Sequence, residues 1–252
     1  MFIDSHTHLL RLELSPEAAV EGAAEAGVSA VVNIGTDIED SRKGAALAAA
    51  LPNVYSSAGI HPHEAGTYTA PDLEALAEIS ESPGVVALGE VGLDYYRGDW
   101  SKEIQRALFE DVISLANDTR LPLVIHSREA FDDTMAILSR AGVPIILHCF
   151  EGGEREAKEA AERGYYLGLA GNVTYKNSRT AEILRMLDLE RILVETDAPY
   201  LSPQPVRSKR NEPKYVVHTA RFVAERIGMG EEEFAALTSR NTRNVFRLPL
   251  QT

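Results

Sequence analysis

At 252 residues with 44% hydrophobic content, the chain is long enough to bury a full core, and no run approaches the roughly 18 uninterrupted apolar residues of a membrane span. A formal net charge of -13 argues against broad electrostatic capture of nucleic acid, since neutralising phosphates normally needs a positive surface, and it confines any polyanion contact to a local patch. One cysteine rules out an intrachain disulfide, and the opening Met-Phe-Ile-Asp-Ser-His lacks the basic and apolar regions of a secretory leader, so a soluble, cytoplasmic protein is the expectation.

Short β-branched or apolar runs alternate with longer Ala-, Leu- and Glu-rich stretches of helical period. In chain order the pattern predicts strand 2–5, helix 16–26, strand 30–34, helix 39–50, strand 54–58, helix 72–79, strand 85–88 and helix 102–117. It continues with strand 123–125, helix 130–140, strand 145–147, helix 155–162, strand 166–169, helix 181–187, strand 192–194 and helix 214–227, followed by two extra helical turns at 231–237 and 242–246. Eight such units predict an α/β protein, a single (β/α)8 TIM barrel over residues 1–252 with extra C-terminal helices, whose active site lies where strands hand over to helices. The competing architecture, an open doubly wound sheet, usually carries a glycine-rich phosphate turn after its first strand. Here that strand runs into His6-Thr-His8-Leu-Leu.

Every candidate ligand falls at such a handover. The spacing of His6 and His8 puts both imidazoles on one side of an extended strand, able to share an ion, although two surface histidines have the same spacing. Asp4, on the same face, either holds a ligand histidine or caps the following turn. Glu90 follows an apolar run, where an unpaired carboxylate is costly; a cation or a salt bridge to Arg128 or Arg97 neutralises it. His126 follows Leu-Val-Ile and His148 follows Ile-Ile-Leu, each a metal ligand or else a hydrogen-bonded core histidine. Glu195 and Asp197 crowd like charge on one strand face unless a cation lies between them. Asp197 is read as the residue nearest the metal, able to take a proton from an attacking water, with Glu195 one layer deeper. Cys149, the strand neighbour of His148, is expected to be an inert thiol on the opposite side.

These donors exceed what one tetrahedral ion accepts, so two divalent cations (Mg²⁺, Mn²⁺ or Zn²⁺) bridged by a carboxylate, best Glu90, are expected. None of the six lysines closes an apolar run, which disfavours a carbamylated-lysine bridge. A two-cation centre ionises water and clamps the oxygens of a phosphoester displacement, but it equally hydrolyses an amide or lactone.

Seven segments, in order, carry a resemblance: Phe-Ile-Asp-Ser-His-Thr-His-Leu at the start, Gly-Ile-His-Pro-His at 59–63, Ala-Leu-Gly-Glu-Val-Gly-Leu-Asp-Tyr-Tyr at 87–96, Leu-Pro-Leu-Val-Ile-His-Ser-Arg at 121–128, Leu-His-Cys-Phe at 147–150, Val-Glu-Thr-Asp-Ala-Pro-Tyr-Leu at 194–201 and Arg-Asn-Glu-Pro at 210–213. Together they resemble the TatD family of metal-dependent deoxyribonucleases from end to end. The resemblance implies a TIM-barrel hydrolase that cuts DNA phosphodiesters, often as an exonuclease from the 3′ end. It also implies that His6, His8 and Asp197 hold one ion, His126 and His148 the other, and that Glu90 bridges them.

His61 and His63 are then candidates to touch a phosphate or protonate the leaving alkoxide, with His63 favoured; a turn-stabilising role around Pro62 is the alternative. Tyr95, Arg128 and Arg207 are candidate phosphate or base contacts, or packing and surface residues. Arg207, Lys209, Arg210 and Lys214 form either a local basic rim or a solvated loop. His218 is expected to be structural. The acidic chain suits weak, salt-sensitive binding of a DNA end, single-stranded, over a small footprint. The alternatives are a related barrel hydrolase of a small ester, lactone or aminoacyl bond, and a metal-stabilised binding protein.

Overall fold

The apolar runs become strands and the helical stretches become helices in the computed structural model, which describes residues 1–97 and 100–249. The strands are β1 (Phe2–Thr7), β2 (Val28–Asn33), β3 (Val54–Ala58), β4 (Val85–Asp94), β5 (Leu123–Arg128), β6 (Ile145–Leu147), β7 (Tyr166–Leu169) and β8 (Ile192–Val194). The helices are α1 (Pro16–Glu25), α2 (Ile38–Ala50), α3 (Ala70–Ser80), α4 (Lys102–Thr119), α5 (Phe131–Leu138), α6 (Glu154–Glu162), α7 (Arg179–Ile183), α8 (Val216–Ile227) and α9 (Glu231–Phe246). Eight parallel strands, each followed by a helix, make this the (β/α)8 TIM-barrel class expected from the alternation. Among the described residues no helix is long and apolar enough to cross a membrane.

Contacts gather the chain into two units. In the unit of Met1–Asn33 and the chain from His148 onward, β1 pairs with β2 (Phe2↔Val28, Thr7↔Asn33) and β7 with β8 (Leu167↔Ile192, Leu169↔Val194). The segment after β8 is tied to β1 by a parallel bridge, Thr7↔Ala198. Asp4 strengthens that tie. Its carboxylate accepts the Thr196 N–H at 2.8 Å, the Thr196 hydroxyl at 2.6 Å and the His6 N–H at 3.3 Å. Asp4 therefore locks two strand ends together instead of holding an imidazole, and burial pushes its carboxyl well above the usual carboxylate range.

Helix α9 packs on β1 and β8 as one continuous element, where the sequence pattern predicted two separate turns. The polar stretch that breaks the apolar pattern is buried and satisfied. Thr238 Oγ1 donates to Phe234 O, Ser239 Oγ to Met1 O, and Asn241 Nδ2 to the carbonyls of Leu189 and Ile192. Helix α7 departs from expectation in the other direction: it starts at Arg179, where Ser178 accepts the Ala181 N–H as an N-cap, and after Ile183 it tightens into a 3₁₀ turn, Leu184–Met186.

In the unit of Ile34–Leu147, β3 to β6 pair in chain order, with Ser56↔Val85, Val91↔Ile125 and Ile125↔Leu147 among the partners. The amphipathic α4 packs on β4 and buries Leu108, Phe109, Val112 and Ile113, each such side chain contributing roughly 1.5–3 kcal/mol of apolar transfer. Side chains cap the helices: Asp37 accepts the Asp40 N–H and Ser101 the Ile104 N–H.

Strand β4 runs six residues past its predicted end at Leu88, to Asp94. Two glycines make this possible. Gly89 (φ 127°) and Gly92 (φ 142°) adopt backbone conformations that side chains disfavour, and a Cβ on either would collide with a β5 carbonyl, that of Val124 or of His126. The register shifts between Leu88 and Val91. The consequence is that β4 delivers two acidic side chains, Glu90 and Asp94, instead of one.

Candidate metal centre

In the first unit the donors come from the ends of β1 and β8. Two backbone hydrogen bonds set their register, Asp197 N–H to His6 O at 2.9 Å and His8 N–H to Ala198 O at 2.8 Å. Asp197, at φ 54°, thereby turns Oδ1 toward both imidazoles: 3.6 Å from His6 Nε2 and 3.4 Å from His8 Nε2. A tetrahedral ion with ligands at roughly 2.0–2.1 Å has donor-to-donor edges of about 3.4 Å, and each of these two separations is close to one such edge. All three side chains are buried, His6 completely.

His148 stacks on His6, ring centroids 4.0 Å apart and planes 10° from parallel, and presents Nδ1 to Glu195 Oε1 at 3.5 Å. Glu195 is fully buried. Its Oε1 accepts the Cys149 N–H at 2.6 Å, while Oε2 has no hydrogen-bond partner among the described residues. Burial raises its carboxyl, and hydrogen bonding to His148 only partly offsets that. Room for the carboxylate exists because β7 carries glycine opposite it; a Cβ on Gly168 would strike Oε2. His6, His148 and Glu195 form a group able to hold an ion, which gives Glu195 a closer part than the deeper supporting one expected from sequence. The Cys149 thiol accepts from Asn172 Nδ2 at 3.3 Å, and burial raises its pKa well above the ordinary value, as befits an inert thiol.

In the second unit Glu90, His61 and His126 form another such group. Glu90 Oε1 lies 2.7 Å from His126 Nδ1 and 3.5 Å from His61 Nε2; these imidazoles face it, rather than the Arg128 or Arg97 of the salt-bridge alternative. His126 Nε2 faces Asp94 Oδ2 at 3.2 Å, and His63 Nε2 faces the same oxygen at 2.9 Å. A proton on Nε2 directed at Asp94 would leave the His126 Nδ1 lone pair facing Glu90, the carboxylate–histidine arrangement that orients a metal-ligating imidazole. The donor set thus fits a divalent cation.

Asp94 is the site residue that sequence reasoning missed. Its Oδ1 accepts the N–H groups of Tyr96 at 3.0 Å and Arg97 at 3.2 Å, while Gln105 grips its backbone from both sides. Burial raises its pKa, but hydrogen bonds from His126, the Arg97 amide and His63 outweigh burial and hold the carboxyl well below the usual range. The signal was present in the Gly-Glu-Val-Gly-Leu-Asp run; what hid it was the backbone course through two glycines.

His61 has the turn-stabilising contact considered for it. Its Nδ1 accepts the His63 N–H at 3.1 Å, which stabilises the turn and leaves Nε2 as the ring's N–H, directed at Glu90. Burial, only partly opposed by Glu90, lowers its pKa to about 4, so it is neutral near pH 7. His63 is fixed from two sides, by Asp94 and by Trp100 Nε1, which donates to its carbonyl at 2.8 Å.

The remaining candidates sit in contacts of their own. Tyr95 donates its hydroxyl proton to Asp133 at 2.8 Å and accepts from Arg106, which pairs with Asp133. Exposed Arg128 lies over the Tyr96 ring at 3.9 Å, and exposed Arg207 over the Tyr175 ring at 3.7 Å. Of the basic rim, Arg210 pairs with Glu13 and Lys214 with Glu212. His218 stacks on Tyr215 within α8, the structural place expected of it.

The family model of the TatD related DNases matches residues 3–247. The chain is 36% identical to an uncharacterized metal-dependent hydrolase of Bacillus subtilis, YabD, over 98% of this chain and 100% of that protein. It is 35% identical to the 3'-5' ssDNA/RNA exonuclease TatD of Citrobacter rodentium, over 94% of this chain and 93% of that one. Among solved structures it resembles YjjV, a TatD homologue from Escherichia coli K12, with a TM-score of 0.92, 30% identity and 98% of each chain covered.

Proposed function

The chain belongs to the TatD related DNase family and is a metal-dependent hydrolase, and from that premise we propose that it is a nuclease acting in the cytoplasm on DNA, removing nucleotides from the 3′ end of a single strand. The observation that carries this reading is the convergence of His6 Nε2 and His8 Nε2 on Asp197 Oδ1 at the edge length of a coordination sphere. A relative that is 35% identical is named a 3'-5' ssDNA/RNA exonuclease, which supports the substrate and the polarity.

In this proposal the chain works as a single domain, consistent with one family model spanning 3–247. On the family resemblance, His6, His8, Asp197, Glu90, His126 and His148 would be the donors to divalent cations. When bound, two such cations lower the pKa of water and neutralise the charge that builds on a phosphate in displacement. The chain's own groups do the rest. Asp197 takes the proton of the attacking water. Asp94 keeps His126 in its ligating tautomer and holds His63 in place. His61, neutral and with its N–H on Nε2, donates a hydrogen bond without adding charge, while His63 contacts the phosphate or protonates the leaving alkoxide. Tyr95, Arg128 and Arg207 offer hydroxyl and guanidinium groups to the strand beyond.

The test is degradation of 3′- and 5′-labelled single-stranded DNA by metal-stripped protein, each cation being restored in turn. Cation-dependent shortening from the 3′ end is expected. Hydrolysis of simple esters or lactones with no cut in any oligonucleotide would refute the nuclease reading.

A further inference from the structure

A single strand whose last phosphodiester is cut must have its terminal base held as well as its phosphate, and one side chain beside the donors is built for that. Tyr200 lies three residues beyond Asp197, in the turn Asp197-Ala198-Pro199-Tyr200. Its N–H donates to Asp197 O at 2.8 Å, and its carbonyl accepts from Asn211 Nδ2. Asn211 is itself fully buried and also donates to Thr196 O at 2.8 Å, so the Tyr200 backbone is pinned on both sides to the strand end that carries Asp197.

This pinned residue is nevertheless 46% exposed. It meets the edge of the His8 imidazole, centroids 6.0 Å apart at 72°, and its hydroxyl accepts from Arg11, a solvent-exposed cation, at 3.5 Å. An aromatic serving only the core would be buried. A pinned backbone presenting a half-exposed aromatic side chain beside His8, with a guanidinium at its hydroxyl, is an arrangement suited to an unpaired base: stacking is tolerant of base identity, and little backbone ordering entropy remains to be lost on binding.

We propose that Tyr200 is the stacking platform for the nucleobase of the terminal nucleotide of a single-stranded nucleic acid, with Arg11 beside it for the adjoining phosphate. The inference rests on the nucleolytic reading above and adds to it the residue that positions the strand end. It also accounts for an acidic protein handling a polyanion, because a base held by an aromatic face needs no extended positive surface.

The experiment uses the full-length, cation-loaded protein as wild type, Tyr200→Phe and Tyr200→Ala. Each is given oligonucleotides that carry either a normal base or an abasic residue at the cleaved end. Tyr200→Ala should raise KM about 5- to 100-fold on base-bearing ends with a much smaller change in kcat, whereas Tyr200→Phe stays within about twofold of wild type. On abasic ends the three proteins should be alike. A 2-aminopurine placed at the end should be quenched within the mixing phase, before cleavage, by wild type and Tyr200→Phe but not by Tyr200→Ala.

If Tyr200→Ala loses as much on abasic ends as on normal ones, the ring is a prop for His8 and the platform is refuted; wild-type kinetics for Tyr200→Ala refute it equally. If wild type cuts no oligonucleotide with any cation, the nucleolytic reading itself falls and takes the platform with it.

Discussion

Asp94→Asn isolates what the carboxylate beneath the second donor group does. The substitution keeps the size of the side chain and an oxygen for the Tyr96 and Arg97 amides, and the Gln105 contacts are to the backbone, so the turn at the end of β4 should stay folded. What changes is the charge facing His126 Nε2 at 3.2 Å and His63 Nε2 at 2.9 Å. An amide NH2 turned to those nitrogens donates where the carboxylate accepted. That favours the other tautomer of His126, with the proton on Nδ1 opposite Glu90 and no lone pair for a cation. Loss of such an orienting partner typically costs 10- to 100-fold in metal affinity or activity, about 1.4–2.7 kcal/mol. The assay is calorimetric titration of metal-stripped protein with Mn²⁺ or Zn²⁺, alongside kcat on single-stranded DNA, with a melting curve as the control for folding. Cation affinity should fall by at least about tenfold while the melting temperature of the metal-free protein moves little. Unchanged cation affinity in a folded Asp94→Asn protein would refute the idea that Asp94 sets the His126 tautomer.

Two further predictions follow from the same geometry. Gly168→Ala places a methyl against Glu195 Oε2, so the carboxylate must move; cation binding and hydrolysis should both fall while Asp94 and His126 are untouched, and a variant with wild-type metal affinity would show Glu195 to be dispensable to the site. His61 titrates at about 4 when folded and near 6.5 when unfolded, so between those values the unfolded chain binds more protons and stability rises with pH. That contribution, up to about 3 kcal/mol, is present above pH 6.5 and lost as pH falls through 4. Denaturant unfolding of metal-free His61→Gln should show a flatter dependence over that window, and an identical slope would contradict a buried neutral His61.

The alternation of strands and helices was legible because hydrophobic period is a local property: β3, β6, β7 and β8 have the bounds that the pattern gave them. The histidine pair, Glu90, His126, His148 and Asp197 were legible because a polar side chain at the end of an apolar run is costly to bury unless a cation or a hydrogen-bond partner compensates it. What stayed hidden depends on tertiary pairing. The extension of β4 to Asp94 arises from two positive-φ glycines packed against β5 carbonyls, and no period of two survives that backbone course. The unbroken α9 depends on Asn241 finding the carbonyls of Leu189 and Ile192, partners about fifty positions away in sequence. Asp4 illustrates the same limit: its position on β1 was evident, but its partner Thr196 lies 192 positions away in sequence.

In the proposed function, β1 and the turn after β8 present His6, His8 and Asp197 to a single cation. Anomalous diffraction from crystals soaked in Mn²⁺ tests it most directly. A peak is expected within roughly 2.0–2.3 Å of His6 Nε2, His8 Nε2 and Asp197 Oδ1 together. Crystals of active enzyme with manganese elsewhere, and those three side chains bare, would contradict it.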